Sequence, residues 1–147
     1  MSQDLPHLIW VDCEMTGLDI NNDALVEIAV LVTDAQLNVL GEGVDLVIKC
    51  DQHKLDSMQQ VVIDMHTNSG LINEIPNGTT LAAADDAIIT YLKKYAPSEG
   101  KSPLAGNSVY VDRAFIARDL PKLNAYLHYR TIDVSTIKEL ARRWHPK

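Results

Sequence analysis

Asp12 and Glu14 stand one residue apart in the stretch LIWVDCEMTGLD, directly after the apolar run Leu8, Ile9, Trp10 and Val11. A short run rich in β-branched and aromatic residues, bounded by turn formers, predicts a buried strand. In a strand, residues i and i+2 project to the same face, so the two carboxylates lie side by side with Cys13 turned away. Such a pair is costly to bury alone, because like charges at close range resist joint ionisation. It is well suited to hard divalent cations such as Mg²⁺ and Mn²⁺, which take carboxylate and water oxygens. Two such ions about 3.5–4 Å apart stabilise the attacking and leaving oxygens of a phosphoryl displacement. An acidic strand end that is merely solvated fits the same spacing, and the pair alone leaves both readings open.

The elements that position this pair follow from periodicity. The segments ALVEIAVLVTD and VLGEGVDLVIK read as two further strands joined by the tight connection AQLN, which gives three antiparallel strands. A helix is predicted from Leu55 to Met65, stopped by Gly70, and a second starts at Thr79 or Thr80 with Leu81, Ala84, Ile88, Leu92 and Tyr95 on one face. PLAGN reads as a short buried strand, and SVYVDRAFIARDL as a helix with Val111, Phe115 and Ile116 inward. RTIDV is another strand, and STIKELARRW a last helix with Ser135 as its N-cap. Three strands followed by αβαβα predict a mixed sheet flanked by helices.

Composition bounds the rest. With 46% hydrophobic residues the chain can bury one good core and is too short for two ordinary domains, so residues 1–147 are read as one domain. No apolar run approaches the twenty or so residues of a membrane span, and Met1 to His7 lacks the pattern of a signal peptide. A cytoplasmic location is expected, with Cys13 and Cys50 as free thiols. The net charge of −7 excludes a protein that coats long nucleic acid through its field, and leaves room for a small metal-filled site.

The strings WVDCEMTGLD, HTNSGL, PLAGNSVYVDRAFIARDLP and HYRTIDVSTIKELARRWHP together resemble the oligoribonuclease family, of the DEDDh subgroup of 3′→5′ exonucleases. The resemblance spans almost the whole chain. It implies a ribonuclease H-like fold with a mixed five-stranded sheet, a homodimer, two divalent ions (Mg²⁺ or Mn²⁺) and hydrolysis of short single-stranded oligoribonucleotides to mononucleotides. Asp12, Glu14 and Asp112 match the metal-binding acids, and Tyr129 a catalytic residue contributed by the partner subunit. Gly17 and Leu18 match positions that approach and wedge against a base, and His66, Ser108, Arg130 and Ser135 positions that close around the 5′ phosphate. An aromatic residue of many relatives near position 61 is replaced by Val61, which offers less stacking area.

The family's fourth acid and its general-base histidine come from an H-x4-D helix beyond these strings. The chain is therefore expected to be truncated, with the last helix or helices missing and little activity as it stands. His128 and Asp133 have the H-x4-D spacing, but residues five apart in a strand point to opposite faces and cannot serve one site. Two other readings remain: a non-catalytic module that dimerises or binds short RNA, and a DNA-directed proofreading exonuclease.

Overall fold

A computed structural model describes residues 5–146. The expected domain limits at Met1 and Lys147 lie outside them. Five strands form one mixed sheet in the order β3-β2-β1-β4-β5: β1 (Leu8–Met15), β2 (Leu25–Thr33), β3 (Val39–Val47), β4 (Leu104–Gly106) and β5 (Thr131–Asp133). β1 pairs antiparallel with β2 and parallel with β4, β2 pairs antiparallel with β3, and β4 runs parallel to β5. The antiparallel strands are joined by short links and the parallel ones by helices, as strand geometry requires.

The alternation in β1 decides which face is covered. Ile9, Val11, Cys13 and Met15 are buried, opposite Val32, Val30, Ile28 and Leu25 of β2. The helices α4 (Leu81–Tyr95), α5 (Val109–Asp119) and α6 (Pro121–Tyr126) supply Ile88, Leu92, Phe115, Ile116 and Leu123 to the same core. Trp10, Asp12 and Glu14 point to the other face, where a groove of about 560 Å³ runs over Trp10, Asp12, Leu31, Asp45, Asn107 and Val134. A smaller cluster of Val26, Leu71 and Ile75 lies beside α3 (Leu71–Glu74).

Several predicted elements differ from those observed. The single helix expected over Leu55–Met65 is two, α1 (Gln52–Asp56) and α2 (Gln60–Ser69). The Ser57 hydroxyl donates to the Lys54 carbonyl at the end of α1, Met58 is buried, and Gln59 is extended, so local capping and a tertiary contact override helical continuity. Gly70 does stop α2, in a left-handed conformation at φ 84°. Thr80 caps α4, accepting from Ala83 N–H. In α5 the buried set is Val109, Asp112, Phe115 and Ile116, with Val111 at the margin. Ser135 is not the N-cap of α7 (Val134–Trp144). Asp133 caps it, because a carboxylate two residues earlier reaches the Ser135 N–H and stabilises the positive helix end.

Asp85 of α4 is buried, at 3% exposure, and accepts from the N–H groups of Lys122 and Leu123, fixing the start of α6. Removing it leaves a buried donor without a partner. Asp85→Ala should therefore cost about 2–3 kcal/mol in urea unfolding, with Asp85→Asn intermediate. Asp86→Ala, which loses only an exposed pair with Lys122, should leave the midpoint nearly unchanged.

Candidate active site

β4 ends at Gly106, so on that side the β1 backbone beyond Trp10 has no strand neighbour. The Cys13 N–H instead donates to Asp112 Oδ1, at 2.8 Å. Asp112 sits in the first turn of α5, is 7% exposed, and is thereby held against the strand between Asp12 and Glu14. A strand pair and a helix acid distant in sequence are thus assembled by one buried bond. Asp12 is exposed and Glu14 half-buried.

The three acids repel one another. Burial pushes the Glu14 carboxyl above its ordinary range; His66 acts in the opposite direction, and Asp12 and Asp112 add to the rise. Asp112 is also raised, first by burial and further by Asp12, although the bonds from Cys13 favour its charged form. Burial, with the same acids nearby, pushes the Cys13 thiol far up, so it is not a nucleophile. Hard oxygen donors that disfavour one another's charge are the donor chemistry of a divalent cation site. Among the described residues, however, no three acidic, histidine or cysteine side chains already converge into a metal cage.

His66 lies deep beside the strand end. It is 1% exposed, its Nε2–H donates to the Met15 carbonyl at 2.8 Å, and its Nδ1 lies 4.0 Å from Glu14 Oε2. The β1–β2 register shifts between Glu14 and Met15, and His66 satisfies the carbonyl at that irregularity. It thereby braces Glu14 and the strand end beside it.

The remaining predicted residues form three groups. Gly17 and Leu18 line a cleft of about 580 Å³ with Val61 and Val62, and Leu18 and Val61 are 74% and 70% exposed. Ser108 and Ser135 are brought together by Asp133, whose Oδ1 accepts from the N–H of both and from the Ser135 hydroxyl; the Ser135 hydroxyl bond chiefly holds its carboxyl below the usual range. Ser108 has left-handed backbone, φ 52°, which directs its N–H to that carboxylate. Tyr129 is 77% exposed, with the His128 ring at 4.4 Å and the Arg130 guanidinium at 5.6 Å from its ring. His128 accepts the Arg130 N–H while Asp133 holds the serines, so the two are engaged with different partners.

The role of Asp133 as organiser of the serines has no signal in the sequence beyond its place just before the last helix, where a carboxylate can cap. Glu27 and Asp45 carry no motif. Glu27 pairs with Glu14, and Asp45 with Ala29 beside Asp12, so both extend the acidic surface across the sheet. Two-residue counting in β2 and β3 places them on that face once the register is known.

Burial, a hydrogen bond to Asp45, and repulsion from Asp45, Glu14 and Glu74 push Glu27 up to about 7. A carboxyl raised in the folded state retains a proton that the unfolded chain releases, so its contribution falls as pH rises from about 4.5 to about 7. Glu27→Gln should accordingly stabilise the protein at pH 8 relative to the parent and change little at pH 4. Urea midpoints across that range check this.

The RNase_T exonuclease family profile matches residues 9–147. The chain is 56% identical over 140 residues to the oligoribonuclease of Cutibacterium acnes, covering 95% of this chain and 69% of that protein. It is 57% identical over 141 residues to that of Rhodococcus jostii, covering 95% and 71%, and 55% identical over 140 residues to that of Streptomyces griseus, covering 95% and 70%. Among solved structures, Escherichia coli exonuclease I in complex with an oligonucleotide shares the fold, with a TM-score of 0.71 at 18% identity, covering 97% of this chain and 31% of that one. Identity above one half along nearly all of this sequence, with the predicted five-stranded sheet in place, shows that the chain belongs to the oligoribonuclease family of exonucleases.

Proposed function

We propose that the protein removes nucleotides from the 3′ end of short single-stranded oligoribonucleotides, hydrolysing them to mononucleotides with two divalent ions, Mg²⁺ or Mn²⁺. The observation that carries this reading is the Asp112 bond to the Cys13 amide, which gathers a third carboxylate beside Asp12 and Glu14. These three would hold the ions, which when bound supply charge neutralisation at the scissile phosphate and a more acidic water. His66 keeps Glu14 oriented through the Met15 carbonyl.

Leu18 opposite Val61 gives an apolar clamp that takes any base without reading its identity, and Gly17 lets the backbone come close. Ser108, Ser135 and Arg130 receive the 5′ phosphate. Asp133 already occupies the N–H groups of both serines, so a phosphate has to compete with that carboxylate or draw on Arg130 for its charge.

Tyr129 acts from a partner subunit in a homodimer. Support for such an assembly is exposed apolar surface on β5 and α7: Ile132 is 39%, Ile137 64% and Trp144 68% exposed, and α7 buries no residue. The free thiols of Cys13 and Cys50 fit a cytoplasmic location. Among the described residues no helix is long and apolar enough to cross a membrane. A second reading, a non-catalytic module that binds short RNA, is favoured by the lack of a ready-made three-ligand cage among the described residues.

Asp12→Ala and Glu14→Ala should each abolish calorimetric Mn²⁺ binding while leaving the fold intact, since acids without a metal repel one another. Unchanged Mn²⁺ binding in both variants would refute the metal site. Matched RNA and DNA dinucleotides with Mn²⁺ then separate the classes. Selective turnover of RNA, even at a slow rate, supports the proposal and excludes the module, whereas equal turnover of both points to a DNA-directed enzyme. Sedimentation at micromolar concentration should show a discrete dimer, and Trp144→Glu should shift it toward monomer by burying a charge in the interface.

A further inference from the structure

The loop from Thr16 to Ala24 joins β1 to β2 and carries Gly17 and Leu18 on the cleft side. Its curl is set internally. Asp23 accepts from the Thr16 hydroxyl and from Asp19 N–H, both at 2.9 Å, and Asp19 accepts from Asn21 N–H and the Asn22 amide. A Cβ at position 17 would collide with the Asp23 carboxylate that the curl holds, so the loop in this shape accommodates glycine there. These bonds shape the loop without fixing where it sits on the domain.

That task falls to two cations behind it. A second cavity, of about 330 Å³, lies on the far side of the loop and is lined by Asp23, Lys49, Asp51, Lys54, Arg118 and Asp119. From it Lys54 Nζ, on α1, donates to the Asn22 carbonyl, and Arg118 Nη1, on α5, donates to the Ile20 carbonyl. Arg118 is itself held: Nε and Nη2 donate to the two Asp119 oxygens at 2.8 and 2.6 Å, and the guanidinium lies 4.9 Å from the Phe115 ring centre. One edge and one face are committed, which aims Nη1 at the loop. Among the described residues, these are the side-chain hydrogen bonds that tie residues 17–23 to other elements. α5 also carries Asp112, so one rigid helix sets both the third carboxylate and the loop.

We propose that Arg118 and Lys54 are positioning residues for nucleotide recognition, clamping the Ile20 and Asn22 carbonyls so that Leu18 is presented opposite Val61. This role rests on the reading of Leu18 as the base-contacting residue. Neither residue faces the cleft, so neither touches substrate.

The test uses a 5′-phosphorylated diribonucleotide with Ca²⁺ in place of a catalytic ion, together with amide hydrogen exchange on the ligand-free protein. Arg118→Ala and Lys54→Ala should each weaken binding by about threefold to tenfold, the scale of a lost charged hydrogen bond near the surface. Exchange of amides 19–23 should rise at least about tenfold on the same scale, with the Asp34–Asn38 turn as an unaffected control. Leu18→Ala should cost much less in the Arg118→Ala background than in the parent, and Arg118→Lys should restore part of the affinity. A surface residue that merely added stability would leave the two substitutions additive. Unchanged loop exchange, or additive effects, would overturn the clamp. If the parent binds no diribonucleotide, the nucleotide reading fails and takes this role with it, whereas intact binding with unchanged exchange sinks the clamp alone.

Discussion

The bond from the Cys13 amide to the Asp112 carboxylate is the constraint on which the site depends. A buried carboxylate needs donors, and a strand that has outrun its parallel neighbour has a free N–H; each relieves the other. Because Asp112 lies on a helix whose Phe115 and Ile116 fill the main core, its position is fixed by packing as well as by hydrogen bonding. Losing either would let the helix acid drift from the strand acids, and the three would cease to be a site.

That arrangement concentrates negative charge that the fold does not neutralise. Asp12, Glu14, Glu27 and Asp45 share one face of the sheet, with Asp112 against the edge of β1, and His66 is the basic side chain that approaches Glu14. Burial first, and the neighbouring acids after it, raise the carboxyls of Glu14, Asp112 and Glu27. Such a concentration of unpaired acids costs the fold stability, and in the proposed function bound divalent ions would offset that cost and account for part of the formal charge of −7.

The apolar surfaces follow the same logic of position. α4, α5 and α6 cover one face of the sheet, whereas the other keeps an open groove beside Asp12. Leu18 and Val61 are exposed across the cleft, and Ile137 and Trp144 project from a helix that buries nothing. In the proposed function the first pair would meet a base and the second a partner subunit.

The sequence by itself determined the mixed sheet, the order of its elements, the shared face of Asp12 and Glu14, and the helical placement of Asp112, because each follows from local periodicity or from long family-specific strings. It could not determine what depends on register and three-dimensional proximity. Periodicity alone does not show that His66 is buried beside Glu14, that Asp133 rather than Ser135 caps the last helix, or that the helix expected over Leu55–Met65 is interrupted at Ser57–Gln59. Glu27 and Asp45 joined the acidic face only through the pairing of β2 with its neighbours, and Arg118 reached a loop 98 positions away in sequence. Periodicity reports which side of its own element a residue occupies. Which other element lies there is decided by the packing of the whole chain, and only the tertiary structure contains it.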